Sequence, residues 1–171
     1  MLYPKGMRAS RHGVSFLEVL IVLAVLAVIF AVGFQLFPRD TILLNQAAER
    51  FERDLERSRF NAISFNTVIL FSVDPANDSY RAVPQPDVAT VARASFTVDL
   101  SREGVGAVEI LPVNSGGGAC PGGEAAGPGE WFFDQRGVGR ADDVSLITFR
   151  HSGTGATVSL CVNSYGRVIR L

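Results

Sequence analysis

The sequence predicts an α+β chain in which a long N-terminal helix, transmembrane in its first half and amphipathic in its second, packs against a C-terminal antiparallel β-sheet head. Three observations predict it. Residues 19–34 contain no polar side chain. From Leu44 to Ala62 apolar residues recur at three-, four- and seven-residue steps. Beyond Asn66 the pattern turns to short β-branched and aromatic runs bounded by Gly, Pro, Asn and Asp. An unbroken apolar run reads as a membrane helix, the recurring steps as one face of a soluble helix, and the short runs as strands.

The first element is a basic stretch. Lys5, Arg8 and Arg11 precede the apolar run, with Gly13 between them and it. A secretory signal peptide places its cleavage site after the apolar stretch, whereas here the small residue comes before it. Cleavage after Gly13 therefore leaves the apolar helix on the product. It also removes three of the 16 basic residues and none of the 17 acidic ones, taking the formal net charge from -1 to -4. A mildly acidic product is a poor general polyanion binder, because such binding comes from basic side chains displacing counterions.

Residues 14–37 are long enough, at about 1.5 Å per residue, to cross a hydrocarbon core of about 30 Å. The basic cluster upstream places the N-terminus in the cytoplasm and the head on the far side. Glu18 is the exception in this span. A carboxylate in a membrane helix is costly and usually has a partner. Cleavage after Gly13 creates one, the new α-ammonium of Val14, within a chain or between neighbours. The alternative is a Glu18 that reaches the membrane interface.

The amphipathic half covers about residues 41–65, with Leu44, Ala47, Ala48, Phe51, Leu55 and Ala62 on its apolar stripe. Glu49 with Arg53 and Glu56 with Arg59 read as ion pairs on its outer face. Gly33 and Pro38 fall between the two halves, where a kink or short unwound stretch is expected. Strands are expected at 67–73, 79–83, 95–100, 107–113, 131–134, 144–150, 156–162 and 167–171. Turns are expected at 74–77, 152–155 and 163–166. Together they form one sheet on the helix stripe.

Residues 114–130 hold seven glycines and two prolines and cannot pack a core of their own. Cys120 lies in this loop and Cys161 in a late strand, and their spacing fits neither a redox CxxC pair nor a zinc site. A Cys120–Cys161 disulfide pinning the loop is the simpler reading for an exported head, and two unpaired thiols the other. His12 lies in the basic stretch and His151 stands alone, so no catalytic relay, metal site or cofactor is expected, and the chain is not read as an enzyme. Gly137-Val138-Gly139 lacks the third glycine of a dinucleotide loop.

With these residues in place, Gly13-Val14-Ser15-Phe16-Leu17-Glu18 followed by Val19-Leu20-Ile21-Val22-Leu23 resembles the processing motif of type IV prepilins and type II secretion pseudopilins. The resemblance implies a pilin-like fold, with 1–13 a leader removed by a prepilin peptidase, 14–65 the helix and 66–171 the head. It makes Gly13 the residue before the cut, Val14 the N-methylated new N-terminus and Glu18 the assembly glutamate. Val14 stands where the family usually has Phe. The implied partners are the peptidase, other pilin or pseudopilin subunits and an inner-membrane assembly platform. The implied location is the bacterial inner membrane, then a pilus or pseudopilus.

Residues 45–64, the Trp131-Phe132-Phe133-Asp134-Gln135-Arg136-Gly137 stretch and the ending Val162-Asn163-Ser164-Tyr165-Gly166-Arg167-Val168 are similar to the GspH/FimT class of minor pilins and pseudopilins. Some members are associated with DNA uptake through a Gly-Arg-x-Arg motif. Here Gly166 and Arg167 match, Ile169 stands at the second arginine, and Arg170 is displaced by one. Alternation along a strand would point Arg167 and Arg170 to opposite faces. The leading reading is a structural filament subunit. A DNA-binding subunit using Arg167, Arg170, Arg136, Arg140 and Arg150 is the alternative.

Overall fold

Two helices follow directly from the two apolar patterns. In the computed structural model, α1 spans Phe16–Leu36 and α2 spans Arg39–Ser64. The structure describes residues 15–36, 39–85, 94–102, 106–115, 120–121, 125, 127–141 and 143–171, with the side chains of 32–36 excepted. Gly13 and Val14 lie outside the described residues. So do Phe37 and Pro38, where the kink is expected.

α1 starts where the Ser15 carbonyl accepts from the backbone N–H groups of Glu18 (2.9 Å) and Val19 (3.2 Å). Over residues 16–31 every side chain is exposed, so the helix presents apolar surface around its whole circumference. Among the described residues no helix is long and apolar enough to cross a membrane. The described side chains of α1 span about 24 Å at 1.5 Å per residue, short of a core of about 30 Å. The expected span, 14–37, extends past them at both ends.

Residues 39–171 form a compact unit of their own. In α2 the buried residues are Leu44, Ala47, Ala48, Phe51, Leu55, Ser58 and Ala62, the expected stripe with one addition. Ser58 is tolerated there because its hydroxyl donates to the Asp54 carbonyl at 2.8 Å, so no polar atom is left unsatisfied. The expected ion pairs give way to other contacts. Arg53 Nε donates to the Glu49 carbonyl oxygen, and Arg59 Nε donates to the Gly137 carbonyl oxygen at 3.1 Å.

Among the described residues the head contains two sheets where one is expected. The first runs β3 (Phe96–Asp99), β2 (Ser79–Gln85), β1 (Val68–Asp74), β5 (Glu130–Phe133) and β6 (Gly139–Arg140) in spatial order. The second runs β4 (Val108–Ile110), β7 (Ser145–His151), β8 (Thr157–Val162) and β9 (Val168–Arg170). All pairings are antiparallel. The reason for two is visible at Phe51, whose ring meets Phe71 and Tyr80 of the first sheet and Phe149 of the second edge-on, at 5.2–5.8 Å. The stripe of α2 is wide enough to cover two inner faces, and buried side chains from both sheets form one core with it.

β6 has no strand propensity, being Gly139 and Arg140, and exists through its pairing with Phe133 and Phe132. At the other end of the sheet, β1 and β2 are joined by a short 3-10 turn, Pro75–Asn77, capped by Asp74, whose Oδ1 accepts from the Ala76 N–H. Asp78 follows with φ of 46°, and its carboxylate accepts from the Ile110 N–H at 2.8 Å, tying β4 to this hairpin.

Candidate functional site

Three regions carry the residues singled out by the sequence. On α1, Glu18 is the one charged side chain among residues 16–31. It sits in the first turn, where a carboxylate is favoured by the helix dipole. With Val19, Val22 and Leu23 it lines an open depression of about 310 Å³ whose other walls are aliphatic. Such a surface can pack against other apolar helices or lipid while offering one acid for pairing.

The second region is the disulfide. Cys120 and Cys161 are bonded, with Cα atoms 5.6 Å apart. Cys161 pairs with Leu146 across β8 and β7, and both point away from the main core. Cys120, Ala125 and Val144 gather over them to make a second, smaller core on the outer face of that sheet. Cys120 and Ala125, of the glycine-rich loop, thus cover this face. The loop's ends are held by Asn114, whose side chain accepts from the Leu146 N–H and donates to the Gly127 carbonyl, each at 2.8 Å. Gly127 lacks a side chain for a reason: a Cβ there would lie 2.4 Å from Ser145 Oγ.

The third region joins the two motif stretches. Asp134 Oδ1 accepts from the N–H groups of Arg136 and Val138, and Oδ2 pairs with Arg136 Nη2 at 3.1 Å. The Val138 bond is the main reason its carboxyl is held below the usual range. Asn163 organises the neighbouring turn in the same way, its Oδ1 accepting from Tyr165 N–H and Arg167 N–H. The buried Trp131 donates its indole N–H to the Asn163 carbonyl, linking the turns.

Arg167, Gly166 and Val168 line a groove of about 220 Å³ with Glu52, Glu56 and Arg59 of α2. Arg170 donates to the Asn45 side chain, also on α2. Both arginines therefore reach the α2 side, and not opposite faces. The cause is Gly166, whose φ of 74° ends a turn, so that strand alternation governs only the residues of β9. Arg167 shares its groove with two carboxylates and Arg170 is engaged by an amide, so together they build no cationic surface. Arg150 is paired with Glu109 at 2.6 Å and Arg136 with Asp134. Arg140 is exposed beside Glu130 and Phe132.

No protein-family model matches the sequence. No curated protein matches it either. Among solved structures, the chain is similar to the minor pseudopilin EpsH from the Type 2 Secretion System of Vibrio cholerae, at 11% identity and a TM-score of 0.48, over 75% of this chain and 95% of that one.

Sequence reasoning placed Arg167 but missed its groove partners. Glu52 and Glu56 stand four residues apart, hence on one helix face, and that spacing was the available signal. Nothing in the sequence ties that face to residues more than a hundred positions later. His151 is likewise placed by the fold: its Nε2 lies 3.5 Å from Asp40 Oδ1 at the start of α2, and its Nδ1 is met by Thr154. Among the described residues no group of three or more His, Cys, Asp or Glu side chains is arranged to hold a metal ion.

Proposed function

We propose that the chain is a membrane-anchored structural subunit of a pilus- or pseudopilus-type filament, matured by cleavage after Gly13. The observation that carries the reading is an apolar helix bearing one carboxylate, Glu18, five residues beyond Gly13, which follows a basic stretch. Residues 14–37 serve first as the inner-membrane anchor and then as the part that packs against other subunits. The head, 66–171 with α2, is held outside the membrane. A prepilin peptidase makes the cut and N-methylates Val14, and an inner-membrane platform receives the product.

In this reading the proton and charge chemistry is simple. Cleavage adds water across the Gly13–Val14 peptide bond, leaving a carboxylate on Gly13 of the released leader and a protonated amine on Val14. That cation offsets the carboxylate of Glu18, which otherwise lies unpaired in an apolar setting. Mass spectrometry of the membrane-extracted protein tests it. The expected product begins at Val14, and Gly13→Leu keeps the full precursor; a working form that retains residues 1–13 would overturn the proposal. The same preparation titrated with duplex DNA at low salt stays unbound, since its arginines are largely engaged by carboxylates, a carbonyl and an amide.

A further inference from the structure

Among the described residues β9 is an outer strand of the second sheet and pairs on one side alone, with β8. The Asn163 N–H donates to the Arg167 carbonyl and the Leu171 N–H to the Ser159 carbonyl, so Cys161 and Ile169, midway between, form the hydrogen-bonded pair. The N–H and C=O groups of Val168 and Arg170 therefore face away from β8. Among the described residues no main-chain bond reaches them there. The other three outer strands are blunted. At β4 the Ile110 N–H donates to the Asp78 carboxylate, at β3 the Asp99 carbonyl accepts from the Arg102 N–H, and beside β6 the Ala141 N–H donates to the Ser164 carbonyl. An edge with both its donors and its acceptors free is a template for another strand.

We propose that β9 takes up an extended segment of another protein as an added strand of the second sheet. Only an extended polypeptide offers N–H and C=O groups at the repeat that Val168 and Arg170 present. The side chains around the edge set its pattern. Ile169 shares the outer face of the sheet with its pair Cys161, and Leu171 follows two residues on. Both are exposed, at 42% and 54%. On the other face the groove lined by Val168, Arg167 and the α2 residues Glu52, Glu56 and Arg59 receives polar side chains. The segment therefore alternates, apolar beside Ile169 and Leu171 and polar toward α2. Because the groove holds acid and base together, the backbone and this alternation select the partner, and net charge does not. Binding here depends neither on the cut after Gly13 nor on Glu18, so each reading can fail without the other.

The test follows amide hydrogen exchange in the full chain in detergent. The probe is a short synthetic peptide in which valine alternates with threonine, lysine and glutamate. In the free chain Ile169 is protected, while Val168 and Arg170 exchange fast. At a peptide excess that leaves about one edge in ten free, exchange at Val168 and Arg170 slows about tenfold. Residues opposite Val168 and Arg170 share their face, so the polar residues of the peptide are those whose N–H groups point at β9. The peptide N-methylated at its polar residues therefore loses the slowing, and the one N-methylated at its valines keeps it. Arg170→Pro, which removes an outward N–H and leaves the β8 ladder whole, also loses it at Val168 with an unchanged melting temperature. Should that variant melt early, the two methylated peptides decide on the unaltered chain. Three results overturn the proposal: no slowing at Val168 and Arg170, slowing by both methylated peptides alike, or slowing that needs no peptide and grows with chain concentration, which gives the edge to a second copy.

Discussion

α1 and α2 share one backbone conformation and differ in where their apolar atoms sit. In α2 seven buried positions fall on one stripe and the remainder of the surface is mostly polar, with Ile42, Phe60 and Ile63 the exposed apolar exceptions, so the helix buries its main apolar face once it meets the two sheets. In α1 the apolar residues go all the way round and none of those described is buried. A helix of the first kind stabilises its own domain. One of the second kind leaves its surface to be covered by lipid or other chains, because no single packing partner can bury every side. The difference divides the chain into a part that folds the head and a part that does not.

The sharpest way to break that division is to truncate a side chain on each helix. Phe51→Ala removes a ring that meets both sheets and should destabilise the head by about 3–5 kcal/mol, read by thermal or denaturant melting. Leu20→Ala, of similar chemistry on α1, should leave the head transition where it was. A smaller loss, roughly 3 to 4 kcal/mol, is expected for Cys120→Ser, because the disulfide closes a separation of 41 residues and holds the cover over Leu146. Urea melts of the oxidised, reduced and substituted forms check it.

The turn cluster should respond more weakly. Gly139→Ala places a methyl 2.4 Å from the Tyr165 carbonyl oxygen and should cost about 1–3 kcal/mol as β6 shifts, with loss of hydrogen-exchange protection at Phe133. The smallest effect concerns pH. The carboxyl of Asp134 is lowered in the folded state, first by the Val138 N–H, with Arg136 contributing. Its contribution is therefore present above the pKa of the unfolded chain and is lost as pH falls through the lower, folded value. Asp134→Asn should flatten that acid limb of the stability profile slightly.

Much of this fold was legible because its signals are local. Leu44 through Ala62 were found by the 3.6-residue period, and eight of the nine strands among the described residues by β-branched runs that end at turn residues. What escaped depended on distant partners. β6 is a strand because Phe132 and Phe133 hold it. The division into two sheets turns on pairing choices over long separations, and the opposite-face expectation for Arg167 and Arg170 failed because β9 begins one residue after Arg167. Ser58 was missed because a serine looks like surface until its hydroxyl finds the Asp54 carbonyl. The site divides the same way: Glu18 stands out against its neighbours in sequence, whereas the groove beside Arg167 exists only in three dimensions.

The most direct test of the account is Glu18→Ala in the full chain, with filament incorporation and head melting measured on the same preparation. The account predicts a head that melts as before and a subunit that is cut after Gly13 yet fails to enter filaments. Normal incorporation of the variant would contradict it, since the lone carboxylate on α1 would then have no part in assembly.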